Sequence, residues 1–343
     1  HPHGINSRTP KKRVDRSETL GTRVDWAISP CKMPPIAFFM NFIEGGIMSV
    51  FLLGNRSDWR QTLHSSVVIG DQKRKHFWKR PRKSSIRQRL CPDLVFSSSD
   101  LNEETIRSPD VDFILPFVLT EYELLRESPE AQRKSVFPSR ELVQILDDKK
   151  LFSELLVGIG FSGLVPRVGA PQELRFPIVR KKRVDEYGLS VSVYADASQL
   201  PENSGDDFFY QEYVRGSDEY ATHAICVDGK VVYSSTYKYL FGADTHVKSF
   251  ASFPDTTLDL GGYLMPELSD ILAEIRYTGC ACFNYKLRDG VPMIFELNPR
   301  VGGSFTRAAE AYLNAYMQAV RLNNIRLGEY GDRPLPSVAA AIL

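Results

Sequence analysis

Two runs of alternating apolar and polar residues, Ala221–Cys226 and Val231–Ser235, flank the pair Asp228-Gly229. Period-two alternation around Asp-Gly predicts a β-hairpin with a tight turn. A second strand pair is predicted from Thr278 to Phe295, reversing at Asp289-Gly290. Helical spacing marks other stretches. Leu264, Leu268, Ile271, Leu272 and Ile275 predict a helix over 264–276, and Ser139 is a plausible N-cap for a helix carrying Leu142, Val143 and Leu146. Phe305–Leu327 reads as a helix that stops at Gly328. Nearer the N-terminus, Met48–Leu53, Ser66–Gly70, Asp93–Phe96 and Val111–Pro116 read as short strands. Helices are predicted near Leu101–Ile106 and over Thr120–Glu127. Strand and helix alternating in this way predict a small open α/β domain, followed by a hairpin-rich α+β region. The predicted divisions are an extension over 1–46, an α/β domain over 47–135, a larger domain over 136–330 and a tail over 331–343.

His1–Thr22 is polar, basic and aperiodic, which reads as disordered or loosely attached. Pro34–Leu53 is apolar, but Asn41, Glu44 and Gly45-Gly46 interrupt it and argue against a spanning helix. An apolar stretch that late is also misplaced for a signal peptide. Whether 1–46 is an extension, a tag or translated upstream sequence is open at this level.

Length and charge narrow the field. The chain has 343 residues, enough for two or three domains, and a formal net charge of +1 that favours no particular partner. Five cysteines, scattered and odd in number, suit reduced thiols in a cytoplasmic setting better than a disulfide framework. Cys280 and Cys282 share a strand face and read as buried core. Nine Lys and Arg residues lie between Lys73 and Arg89, with Phe77 and Trp78 among them. Such a run can neutralise phosphates. Without a surrounding nucleic-acid-binding pattern it reads as a solvated loop and helix face. No Gly-x-Gly-x-x-Gly is present, which disfavours a dinucleotide site.

The strongest candidate chemistry lies at the end of the last predicted strand. Glu296, Asn298 and Arg300 alternate, so they share one face if the strand continues through them. Pro299 forbids a normal central ladder, and Gly302-Gly303 lets the backbone turn away. Carboxylate and amide oxygens suit Mg²⁺, and a neighbouring guanidinium suits phosphate.

Glu-x-Asn-Pro-Arg-x-Gly-Gly-Ser after an apolar strand resembles the metal-binding strand of the ATP-grasp ligase superfamily, which includes biotin carboxylase and carbamoyl-phosphate synthetase. Four further stretches match in order. Asp148-Lys149 opens a helix that stops near Gly160, and Lys149 falls where the superfamily has a phosphate-contacting lysine. Phe176–Lys181 resembles the strand whose lysine reaches the α- and β-phosphates. Phe208–Ala221 resembles the linker between the two lobes: Glu212-Tyr213-Val214 at the adenine edge, and Glu219 as acceptor for the ribose hydroxyls. Asn284 falls where the first metal ligand is usually Asp or Glu.

The resemblance covers about Lys149–Gly303 and implies a small α/β pre-grasp domain followed by a two-lobed ATP-grasp fold, with a small lobe near 165–212 and a metal-binding lobe near 213–330. It implies ATP and Mg²⁺ (with Mn²⁺ as the alternative) held by Glu296, Asn298 and Asn284. Gly188 belongs to the flap over the phosphates. Arg300, Lys238 and Arg307 would be catalytic, and Gly302, Gly303 and Ser304 would meet substrate. Lys238, His246 and Lys248 lie in a stretch that often faces the γ-phosphate, with Lys238 the chosen candidate and His246 read as an ordinary polar residue. The implied partners are a small-molecule carboxylate and an amine, with a homodimer as a candidate assembly. Two departures stand out: the flap has one glycine, and Asn284 removes a charge from the metal site. They leave open a non-catalytic ATP-binding regulator or scaffold.

Overall fold

The computed structural model describes residues 49–63, 94–97, 99–185, 189–202, 205–248, 252–330, 339 and 342. The predicted strand at 66–70, the basic run at 73–89, Gly188 and the N-terminal extension lie outside them. A three-stranded parallel sheet of order β2-β1-β3 is formed by β1 (Ser49–Leu53), β2 (Leu94–Phe96) and β3 (Phe113–Leu115). Residues 57–63 are helical (α1) and leave the sheet after the Gly54 loop. A Cβ on Gly54 would lie 2.3 Å from the Phe117 amide nitrogen, so only glycine permits this approach. There the buried Glu121 carboxylate accepts from the amides of Phe117 and Val118 at 2.7 and 3.2 Å. Glu121 opens α2 (Glu121–Arg126), which α3 (Pro129–Arg133) follows.

The helix expected near 101–106 is instead a short 3₁₀ turn over Thr105–Arg107. Asn102 explains it: its side-chain oxygen accepts from the amides of Glu104 and Thr105, favouring a turn over a continuing helix.

α4 (Arg140–Asp147) and α5 (Lys149–Gly158) each begin on a side-chain cap. Ser139 accepts from Leu142 N, and Asp148 accepts from Lys150 N and Leu151 N. Next comes an antiparallel sheet of order β5-β4-β6, from β4 (Ile178–Lys182), β5 (Ser192–Tyr194) and β6 (Phe208–Glu212). The chain then enters a five-stranded antiparallel sheet of order β11-β10-β7-β8-β9. Its strands are β7 (Asp218–Val227), β8 (Lys230–Leu240), β9 (Thr256–Asp259), β10 (Gly279–Arg288) and β11 (Val291–Asn298). The predicted hairpin turn sits at Asp228 and Gly229, both at positive φ as a tight right-twisted turn requires.

One face of the large sheet packs on α4, α5 and α6 (Pro266–Glu274) through Leu146, Leu156, Leu272 and Ile294. Ala339, in the stretch read as a tail, is buried in this core. A second core joins the large sheet to β1 and β3 through α7 (Ala309–Tyr330) and includes Phe51, Leu115, Tyr312 and Tyr316. α7 begins later than expected, because Gly303–Ala308 form a 3₁₀ turn, and it continues through Gly328. Two tyrosines tie the parallel sheet and its helix to the rest. Tyr316 donates to the Ile114 carbonyl at 2.6 Å, and Tyr122 donates to the Pro299 carbonyl at 2.8 Å.

Candidate active site

One cavity of about 420 Å³ is lined by strands of the two antiparallel sheets and by Arg56, Asp58 and Trp59 from the loop and helix after β1. Its centre is the β10–β11 pair. Register sets Asn284 opposite Glu296 and Cys282 opposite Asn298, with an irregularity between Asn284 and Tyr285. That bulge lets two consecutive residues, Phe295 and Glu296, both reach the cavity. β11 ends at Asn298, before Pro299, and Arg300 still lines the site.

Glu296 gathers polar partners. Its carboxylate accepts from the side-chain amides of Asn284 at 2.8 Å and Asn298 at 3.0 Å, and lies 3.5 Å from the Lys149 ammonium. Burial opposes its ionisation, but Lys149, Asn298 and Lys181 outweigh burial and hold its pKa below the usual value. Lys149 also donates to the Asp185 carbonyl at 2.6 Å. It starts α5, and the capping Asp148 pairs with Arg183 at 2.6 Å, anchoring that helix end to the segment leaving β4. Lys181 is buried, donates to Gln211 Oε1 at 2.7 Å and lies 4.9 Å from the centre of the Phe295 ring. Burial pulls its pKa down to about 8.

The segment 213–217 carries the chain from β6 to β7 along the cavity edge. Lys286 holds it from below, donating to the carbonyls of Gly216 at 2.8 Å and Val214 at 3.3 Å. Val179, Val191 and Phe295 add apolar wall beside Tyr213 and Val214. Glu212 pairs with Arg288 at 2.9 Å. Glu219 is buried, 3.0 Å from Lys248 and 3.6 Å from His246. Burial would raise its pKa, but Lys248 and His246 prevail and hold it at about 2.

Of the residues expected at the site, Lys149, Lys181, Glu212, Tyr213, Val214, Glu219, Asn284, Glu296, Asn298, Arg300, Gly302, Gly303 and Ser304 line this one cavity. Lys238 does not. It pairs across the sheet with Tyr220, whereas the cavity-facing Glu219 pairs with Tyr239. One residue of offset puts Lys238 on the opposite face, where it binds Asp218 at 2.6 Å. Lys248 supplies the cation instead, 3.2 Å from Asn284 Oδ1. Arg307 is exposed in the 3₁₀ turn and is not among the lining residues. Sequence reasoning did not find Arg56, Trp59, Tyr239 or Lys286. Arg56 lies over the Trp59 ring, 4.1 Å from its centre, and that ring would be 3.5 Å from a Cβ on Gly303.

One carboxylate with two amide carbonyls is a hard donor set that fits Mg²⁺, an ion that takes many of its ligands from water and phosphate. Among the described residues no group of three His, Cys, Asp or Glu side chains converges as a metal cage. The fit is therefore to a cation shared with a phosphate-bearing ligand.

No family model and no curated protein matches the sequence. Solved structures do match. The chain is similar to phosphoribosylamine–glycine ligase from Thermotoga maritima, at 14% identity and a TM-score of 0.52, over 80% of this chain and 75% of that one. It is also similar to D-alanine–D-alanine ligase from Bacillus anthracis, at 15% identity and a TM-score of 0.49, over 83% of this chain and all of the other. At 14% identity the first of these marks a shared fold and nothing further. The fold is the one this chain shares with the phosphoribosylamine–glycine ligase structure.

Proposed function

We propose that this protein is an ATP-dependent carboxylate–amine ligase that works through an acyl phosphate. The observation that carries the reading is the convergence of Lys149, Lys181, Lys248 and Arg300 around Glu296 and Asn298, beside an apolar slot along segment 213–217. On this reading the β4–β6 sheet and the five-stranded sheet are the two lobes that enclose ATP. The parallel sheet is the pre-grasp domain.

Adenine occupies the slot of Val179, Val191, Phe295 and the 213–214 backbone. Glu219, kept ionised by Lys248, accepts from the ribose hydroxyls. Lys149 and Lys181 offset phosphate charge, and Arg300 faces the acyl phosphate. A carboxylate oxygen attacks the γ-phosphorus, the bond to the β–γ bridging oxygen breaks, and ADP leaves. The amine nitrogen then attacks the acyl carbon, the carbon–oxygen bond to phosphate breaks, and the nitrogen gives up a proton. Glu296 and Asn298, with Asn284 beside them, would hold Mg²⁺, which when bound neutralises phosphate charge.

The test is ADP release by the purified protein against a panel of amino acids and small carboxylates with amines, recording product masses. Glu296→Ala and Arg300→Ala should abolish release while the folded state persists. Full activity in either variant refutes the assignment. Asn284, an amide where the superfamily usually has an acid, favours one other reading, a non-catalytic ATP-binding regulator. ATP binding without ADP release across the whole panel would select it.

A further inference from the structure

His223, on β7, is fully buried beneath the glycine turn that closes the cavity. A Cβ on Gly302 would lie 2.8 Å from its Cε1 and 2.5 Å from Cys282 Sγ. Its Nε2 is 2.7 Å from Ser304 Oγ, and Ser304 lines the cavity beside Arg300. Its other nitrogen, Nδ1, is buried without a hydrogen-bond partner. The rings of Tyr237 and Tyr312 pack edge-on against the imidazole.

These surroundings decide where the proton sits. Burial pulls the His223 pKa down to about 3, so the ring is neutral and carries one N–H. An N–H on Nδ1 would be a buried donor with no acceptor, which native structures avoid more strictly than an under-used acceptor. The proton therefore belongs on Nε2, which donates to Ser304 Oγ. With that oxygen already accepting from His223, the serine's own proton is left to point into the cavity.

We propose that His223 holds Ser304 as a hydrogen-bond donor aimed at the substrate end of the cavity, where with Arg300 it receives the carboxylate that is to be phosphorylated. His223 is a positioning residue. Its neutral ring makes no proton transfer and sets which way the serine faces. The identity of this end as the substrate compartment rests on the ligase reading above.

The experiment has one arm that needs no turnover. In protein labelled with ¹⁵N-histidine, His223 should show a pyrrole-type Nε2 and a pyridine-type Nδ1, unchanged over the range of about pH 5–8 in which ordinary histidines titrate. Acetate should perturb these signals and methylammonium should not. The opposite tautomer, a response to methylammonium alone, or a response to neither probe overturns the proposal, whether or not the protein proves to be a ligase. The second arm uses whichever carboxylate supports ADP release. Ser304→Ala should raise its KM about tenfold and leave the KM for ATP unchanged. His223→Leu should match Ser304→Ala, the double variant should be no worse than either, and His223→Gln, which keeps a donor, should recover most of the loss. An additive double variant overturns the coupling.

Discussion

Removing the Glu219 charge should change how stability responds to acid. Glu219 is 6% exposed and is held at about 2, against an ordinary 4.5, by Lys248 at 3.0 Å and His246 at 3.6 Å. The gap between 4.5 and about 2, at about 1.36 kcal/mol per pH unit, is about 3 kcal/mol. Because the folded-state value is the lower one, the unfolded chain takes up the proton first. The contribution is fully present above about pH 4.5 and is lost as the pH falls toward about 2. Glu296 is also depressed, so the informative quantity is the difference between the parent and Glu219→Gln, which cancels what the two share. Thermal unfolding at pH 7 should put Glu219→Gln lower by roughly 6–12 °C, using about 2–4 °C per kcal/mol for a domain of this order of size. The deficit should shrink steadily below about pH 4.5. Parallel curves for the two proteins between pH 5 and about 2 would show that the Lys248–Glu219 pair contributes nothing, and would remove the physical basis for an ionised ribose acceptor.

Lys248→Met should weaken ATP binding about tenfold or more by calorimetry, whereas Lys238→Met, on the far face of the sheet, should leave it within about twofold. Lys181, with its pKa at about 8, is charged below that pH and neutral above it in the free protein. ATP affinity should therefore fall as pH rises from about 7 to 9, and Lys181→Met should bind weakly with no such fall; a flat profile in the parent would refute the assignment. Gly302→Ala forces a methyl to 2.5 Å from Cys282 Sγ and 2.8 Å from His223 Cε1, and should cost about 1–3 kcal/mol of stability by denaturant unfolding. Adding Cys282→Ala should return part of that loss.

What the sequence exposed and what it hid follow from the range of the forces involved. Glu296, Asn298 and Arg300 were legible because strand parity and Pro299 are local, and the structure brings all three to one cavity. The Asp228-Gly229 hairpin was legible for the same reason. Parity also explains the failure at Lys238. It lies inside β8, so its face is decided by the register of a partner strand, and a single step turned it away from the site. Lys248 lies beyond that strand in a segment without periodicity, where no local pattern says which way a side chain points. Arg56 and Trp59 reach the cavity because a close approach at Gly54 and the Glu121 carboxylate set the path of the loop after β1, and neither contact is visible in a window of sequence. His223 is the extreme case: it follows Thr222 in β7, and nothing local separates it from the other polar residues of that strand. It gains a role only when β10 and the turn at Gly302 are packed against it. Side chains placed by their own strand are thus readable in one dimension. Those placed by the meeting of separate elements become readable only once the fold is in hand, and in this protein the second group includes Arg56, Trp59 and His223.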